Sequence, residues 1–394
     1  MNRALLIIYC GLLLSVSAFS CDITLPAFWS MSRELDARIE LVQAIVPVFL
    51  IFQAMGQLIF GPVSDRFGRR PVVFAGLVIY LLGTSIALLA GSIGAVHLGR
   101  AAQGFGSACG IVVGRAILRD ISQGTALAQA MAFAMAIFAL GPISAPLIGY
   151  GLVGLGGWRN IFLGMALFAI ALLACAFLLK ETNAQPDRHA LKRANLLSAL
   201  SRIARHPQSR TFLLLAALTQ FSIVSFVANA PRFFKTAFEI EGLSFALLFA
   251  STGLGIIVGQ IANNRLLGIL GVLPTTRLAA GVLLFVSAAA TLLSASGLLS
   301  GAAFVALMFA FNTSFLVIMA NAASLVIDPH REIAGFASSA YGFFTQITSS
   351  ILALITMPLF QGRILPWSAT MLVIMSVLYV ALARYRPAMP SVAR

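Results

Sequence analysis

Long apolar runs broken by short polar turns recur along the whole chain, each long enough to cross a hydrocarbon layer. A spanning helix needs about 20 mostly apolar residues. Runs of that kind lie at 4–28, 41–62, 72–91, 96–119, 126–152, 158–179, 211–232, 243–264, 278–297, 301–326, 333–360 and 366–383. The pattern predicts an all-α polytopic membrane protein of twelve transmembrane helices. The longest polar stretch, Lys180 to Arg210, divides the runs six and six. It predicts two six-helix bundles, over 1–180 and 210–394, joined by a linker over 181–209. Met1-Asn2-Arg3 before the first run is like a secretory leader, but no A-x-A site follows and more spans do, so this run reads as the first transmembrane helix.

The two halves carry matching residues. At an offset of 205, Ser17, Ser20, Pro26 and Phe28 correspond to Ser222, Ser225, Pro231 and Phe233. At 203, Gly56, Gln57, Gly68 and Pro71 correspond to Gly259, Gln260, Gly271 and Pro274. Two registers at nearly one offset indicate a duplicated six-span unit, a plan that places a binding site between the halves.

Composition agrees with the pattern. The 394 residues are 60% hydrophobic and only 10% charged, against about 25% charged in a soluble domain. Mean hydropathy is +0.98. The net charge of +14 admits two explanations, a nucleic-acid surface or cations gathered on the cytoplasmic side of a membrane. Distribution decides between them. With both termini placed in the cytoplasm, Arg3, Arg66, Arg69, Arg70, Arg119, Lys180, Arg188, Lys192, Arg193, Arg202, Arg205, Arg210, Arg265, Arg277, Arg331, Arg384, Arg386 and Arg394 fall on that side. Only Arg33, Arg38, Arg159, Arg232, Lys235 and Arg363 fall opposite, while Arg100 and Arg115 are embedded in the fourth span. The bias sets a topology and leaves no nucleic-acid footprint. Cys10, Cys21, Cys109 and Cys175 sit in apolar runs without zinc or disulfide spacing.

After the second span comes Gly61-Pro62-Val63-Ser64-Asp65-Arg66-Phe67-Gly68-Arg69-Arg70-Pro71, a glycine-permitted turn bearing one acid and three arginines. This segment resembles the signature loop of the major facilitator superfamily. Further stretches are similar to motifs of the same family. They are Arg100-Ala101-Ala102-Gln103-Gly104-Phe105-Gly106 in span four, Gly141, Pro142, Pro146 and Gly149 in span five, and Trp158-Arg159-Asn160-Ile161-Phe162 at the start of span six. Asp22 to Ala27, Arg115 to Asp120 and Ala334 to Ser339 resemble the Bcr/CflA drug-exporter group among drug:proton antiporters. The resemblance implies two pseudo-symmetric six-helix bundles and proton-driven export by alternating access.

The residues support the same chemistry on their own terms. Eleven of the twelve acids lie in loops or at span ends, and only Asp22 lies within an apolar run. A charge in a span costs about 2.5–3.5 kcal/mol and marks function by default, and desolvation favours a neutral carboxyl. The position equivalent to Asp22 in the second half is Val227, so packing symmetry does not demand an acid there. Asp22 is also a plausible solvated or simply paired group near the outer end of its span. Arg100 and Asp22 each lie 19 residues from a cytoplasmic arginine, Arg119 and Arg3. That puts both in one outer layer, and a pair between them, broken by cargo or a proton, is expected.

Asp65 is expected to meet Arg115 or Arg119, latching the cytoplasmic halves of the bundle. In the second half Gly268, Ile269, Val272 and Leu273 replace Asp65, Arg66, Arg69 and Arg70, so this latch is expected on one side only. Gly141, Pro142, Pro146 and Gly149 are expected to break helix continuity, either for packing or to limit leak. Gln53, Gln103, Asn229, Asn312 and Gln346 are candidates to line a cavity or to bond between helices. The 30 phenylalanines serve packing or lipid, or an aromatic cavity for apolar cargo.

No Walker A loop, H-E-x-x-H or G-x-S-x-G occurs, so neither a built-in ATPase nor those hydrolase patterns are supported. The resulting expectation is a non-enzymatic exporter in the bacterial inner membrane with both termini cytoplasmic. It would work as a monomer on small amphipathic drugs or toxic compounds, with the proton as coupling ion, no bound cofactor and no nucleic-acid partner. A dedicated siderophore or metabolite exporter, a proton-coupled importer and a non-transporting sensor share the same sequence features.

Overall fold

Hydrocarbon offers backbone N–H and C=O groups no partner, so each crossing segment must close its hydrogen bonds internally, as a helix does. The computed structural model describes residues 1–183 and 200–385. The expectations for Arg188, Lys192, Arg193, Arg386, Arg394 and the side chain of Arg331 lie outside the described residues. Within them, twelve helices are long and apolar enough to cross a membrane. They are α1 (Arg3–Asp22), α2 (Ile45–Phe67), α3 (Arg69–Leu88), α4 (Ile93–Ile121), α5 (Gly124–Gly156) and α6 (Arg159–Ala176). The second set is α7 (Pro207–Phe238), α8 (Gly242–Leu270), α9 (Val272–Ala295), α10 (Gly301–Ile327), α11 (Ala334–Phe360) and α12 (Ile364–Arg384). The all-α, twelve-span expectation holds.

Boundaries differ where polar residues still suit a helix. α7 begins at Pro207, inside the stretch read from sequence as linker, because proline's missing N–H costs nothing at a first helical position. α5 runs unbroken over Gly124–Gly156 with Pro142 and Pro146 inside it, contrary to the expected interruption. Its glycines serve close approach instead: a Cβ on Gly149 would run into the Ile23 carbonyl that follows α1.

The same devices recur in both halves. Ser92 accepts from the Ala95 N–H at the start of α4 (3.3 Å), and Ser300 accepts from the Ala303 N–H at the start of α10 (3.2 Å). The turn between α2 and α3 needs Gly68 at φ +97°, and its counterpart between α8 and α9 needs Gly271 at φ +80°. Across the halves α2 packs on α11 and α5 on α8. Counting six helices per repeat, α8 is the counterpart of α2 and α11 of α5, so these seams are the same pair seen from each half.

Most phenylalanines with ring partners build the second-half core. Phe226, Phe233, Phe304, Phe311 and Trp367 meet tilted or edge to face with centroids 5.5–6.5 Å apart. The Trp367 indole donates to Ser225 Oγ at 2.9 Å. Leu82, Phe285, Ile355 and Val373 face outward, as a lipid-facing surface requires.

The Gly68 turn is held from the far side of the bundle. Glu181 accepts from the backbone N–H groups of Arg69 (2.8 Å) and Arg70 (3.1 Å), the unsatisfied donors at the start of α3. Burial alone would raise this carboxyl. Hydrogen bonds from the Asn183, Arg69, Arg70 and Thr182 amides outweigh that and hold it below the usual carboxylate range. A lowered acid contributes stability above its ordinary range and loses it as pH falls through the folded value. Amide exchange at Arg69 and Arg70, corrected for its intrinsic pH dependence, should therefore be slow at neutral pH and speed up in acid. Glu181→Gln should exchange faster at neutral pH and lose the acid step; slow, pH-independent exchange in both proteins would remove Glu181 from this role.

Candidate functional site

A cavity of about 370 Å³ lies between the halves. It is lined from α1, α2, α4, α5, α7, α8, α10 and α11, and by no residue of α3, α6, α9 or α12. Asp22, Cys21 and Ser17 face it from α1, and Val227 and Gln220 from α7. Thus the acid and its apolar counterpart look into one space. Asp22 is 7% exposed and, among the described residues, its carboxylate has no ion-pair or hydrogen-bond partner.

Arg100 does not pair with Asp22. Its Nη1 donates to the Ser20 carbonyl (3.0 Å) and to Gln103 Oε1 (3.0 Å), its Nε to the Ile45 carbonyl (3.4 Å), and its guanidinium lies 4.3 Å from the Phe49 ring centroid. The two residues share a layer, but Arg100 is fully buried and spends its donors on the backbones of α1 and α2. Its Nη2 is left without a partner.

The expected Asp65 latch also has another partner. Asp65 pairs with Arg69 across the turn (2.5 Å), and Arg69 reaches Asp120 at the end of α4 (3.0 Å). Residues four apart in a tight turn meet without any rearrangement, which outcompetes a partner on another helix. Neither Arg115 nor Arg119 has an ion-pair partner among the described residues. Arg119 instead lies beside Gly335 of α11, and the Ser339 hydroxyl lies 3.5 Å from where a Cβ on Gly61 would be. Arg66 lies over the neighbouring Phe67 ring at 5.1 Å, and Arg70 over Phe74 at 5.7 Å.

Of the five amides, Gln53 and Gln346 line the cavity and bond to each other across the halves. The other three hold helices together. Gln103 donates to Thr84 Oγ1 (2.8 Å), Asn312 donates to the Thr252 carbonyl (2.9 Å), and Asn229 Oδ1 accepts from Gln43 Nε2 (3.0 Å). Pro142 lines the cavity, while a Cβ on Gly141 would lie 3.4 Å from Ala18 and Pro146 is buried.

Contacts between the halves lie on both sides of the cavity. Toward the face that carries the linker, Gln57 donates to Gln346 Oε1 at 3.2 Å. Toward the opposite face, Arg232 pairs with Glu40 (2.7 Å), Gln43 donates to Asn229 Oδ1 (3.0 Å) and the Ala228 carbonyl (3.2 Å), and Lys235 lies 4.5 Å from the Trp29 centroid. Sequence reading passed over Glu40, Gln43, Gln57, Gln220 and Tyr341. The first two stand beside a span start, where polar residues are unremarkable. No helical stripe marks the others, because neighbouring positions are apolar all round.

Comparison with known proteins agrees with this architecture. The profile of the Major Facilitator Superfamily matches residues 10–353. Multidrug resistance protein MdtL of Escherichia coli O9:H4 (strain HS) is 29% identical over 336 residues, 84% of this chain and 82% of its own. The bicyclomycin resistance protein homolog of Haemophilus influenzae is 26% identical over 275 residues, 69% of each chain. Among solved structures, a D-xylose–proton symporter superposes with a TM-score of 0.75 at 14% identity, covering 94% of this chain and 96% of the symporter.

The Glu40–Arg232 and Gln43–Asn229 contacts close the opposite face over Cys21, which is 7% exposed. With Cys10, Cys109 and Cys175 replaced by serine, Glu40→Gln should raise labelling of Cys21 by a membrane-impermeant maleimide added from that side. An unchanged labelling rate would show that these contacts do not close the face.

Proposed function

The chain belongs to the major facilitator superfamily, whose members are transporters and not enzymes, and we propose that it exports small amphipathic drugs or toxic compounds in exchange for protons, by alternating access. The observation that carries this reading is Asp22, a carboxyl with no cation partner among the described residues, facing a cavity lined by both halves. An unpaired acid held from water is stable when neutral and is stable as the anion once water reaches it. A cycle that exposes the cavity first to one face and then to the other would load and unload a proton at this group. Protonated, Asp22 leaves the cavity nearly neutral at its end; once it has released that proton and is ionised, the cavity would take the next cargo. No bound cofactor is needed, since the proton is the coupling ion.

The relatives named for multidrug and bicyclomycin resistance support export over import. The cation bias supports a linker face in the cytoplasm, both termini with it, and a place in the bacterial inner membrane. The two six-helix halves, 1–180 and 210–394, would rock about the cavity as rigid bodies, with the seams α2–α11 and α5–α8 as hinge surfaces. Here the Asp65–Arg69–Asp120 tie keeps the signature turn fixed to α4, and Arg119, facing α11, is the charge that meets the other half. Gln53 and Gln346 would part as the linker face opens. The cavity is complete within one chain, which supports function as a monomer.

The decisive measurement is efflux of a compound panel from reconstituted vesicles under an imposed pH gradient, wild type beside Asp22→Asn. Wild type should move part of the panel, and the mutant should lose the response to the gradient, falling to the rate of protein-free vesicles. Full, gradient-dependent transport by the mutant would take Asp22 out of the mechanism.

A further inference from the structure

The central cavity has one acidic and one basic residue in its lining, Asp22 from α1 and Arg115 from α4. They sit at opposite ends. Gly114 lies against the Cys10 carbonyl, 3.4 Å from where its Cβ would be, so Arg115 is level with Cys10, twelve residues below Asp22 on α1. At 1.5 Å per residue that is roughly 18 Å along the helix axis.

Arg115 is unlike the other embedded arginine. Arg100 is fully buried and gives its donors to two carbonyls and an amide. The Arg115 side chain is exposed to the cavity and, among the described residues, has neither an ion pair nor a hydrogen bond. The groups nearest it in the lining, Gln57, Ser338 and Tyr341, are neutral, and the Tyr341 hydroxyl donates to the Met319 carbonyl at 2.9 Å. One turn below, Arg119 lines the adjoining cavity of about 210 Å³, again without an acid. Two cations one turn apart repel, and a guanidinium in a span carries its own cost. Asp65, the nearest acid of the next cavity down, is already held by Arg69. Among the described residues, none supplies the counter-charge.

We propose that the cargo supplies it: Arg115 is an anion subsite, and the preferred substrates are amphipathic molecules bearing a carboxylate or similar oxyanion, their apolar bodies lying along Ile111, Phe138 and Phe315. This rests on the transporter reading above and names the substrate class of the same cavity. The planar fork of donors on arginine suits a carboxylate in two-point contact. Asp22 at the far end then exchanges its proton without meeting the anionic group directly.

The test uses the full-length protein in lipid nanodiscs and three probes sharing one fluorescent apolar body, ending in a carboxylate, a neutral amide or a quaternary ammonium. Equilibrium binding to wild type should favour the carboxylate. In Arg115→Gln the carboxylate-to-amide affinity ratio should fall about tenfold, the loss of one charged hydrogen-bonded contact, and Arg115→Lys should restore part of it. A wild type that prefers the ammonium, or binds no carboxylate, overturns the proposal; so does an Arg115→Gln protein whose ratio is unchanged. Gradient-driven efflux of the same probes is read separately. Selective binding without any efflux would defeat the transporter reading while the anion subsite stands.

Discussion

The first half is organised by how closely α4 approaches its neighbours. A Cβ on Gly104 would enter the Phe49 backbone of α2, one on Gly110 the Leu13 backbone of α1, and one on Gly106 would lie 2.5 Å from the Gly76 carbonyl of α3. Three helices therefore touch α4 backbone to backbone, the close packing that small residues allow when no solvent drives helices together. Such contacts leave no slack for a large side chain on those faces. Arg100 lies in this packed layer, and its guanidinium can reach only the α1 and α2 carbonyls and Gln103. Asp22, just past that layer on the cavity side, is left to itself. The separation of a structural arginine from an unpaired acid follows from the packing of α4.

The two halves share a scaffold and divide the chemistry. Gly68 and Gly271 turn the chain at matching places, and Ser92 and Ser300 cap matching helices. The charged residues of the first turn have no counterparts in the second, where Gly268, Ile269, Val272 and Leu273 stand. Likewise Asp22 faces the cavity where its counterpart Val227 also does. The first half thus carries the ionisable parts, and the second supplies an aromatic core around Phe226 and Trp367 with apolar and amide walls. A duplicated unit needs only one half to titrate.

Depth along the membrane normal was legible in the sequence, and azimuth was not. Counting residues from cytoplasmic arginines placed Asp22 and Arg100 in one layer, and the Arg100–Ser20 bond lies in it. Rise per residue is a fixed property of the helix. Which way a side chain points depends on what packs against it. In a chain that is apolar on nearly every helix face, no amphipathic stripe announces the inner side. That is why Gln53 and Gln346 reach the cavity while Gln103, Asn229 and Asn312, equally polar, bond between helices. The Asp65 partner was missed for a different reason: Arg69 lies four residues away across a turn whose geometry Gly68 sets, and local closure precedes any contact with Arg115 or Arg119.

The contacts within each half and those between halves differ in kind. Inside a half, backbones meet at glycines and large aromatic side chains are fully buried, contacts that cannot be given up piecemeal. Between halves, beside the packing of α2 on α11 and α5 on α8, the polar closures are single interactions. On one side they are the Glu40–Arg232 pair, the Gln43–Asn229 bond and Lys235 over Trp29; on the other, the amides Gln53, Gln57 and Gln346. Glu40 and Arg232 keep part of their surface exposed, and partly solvated pairs are worth roughly 1 kcal/mol or less. Amide bonds contribute about 0.5–1.5 kcal/mol each. Under the proposed mechanism, polar closures of this size would be exchanged when one proton or one cargo molecule favours one side. In the proposed mechanism, rigid halves with weak polar closures between them would let a single acid in the cavity bias the whole motion.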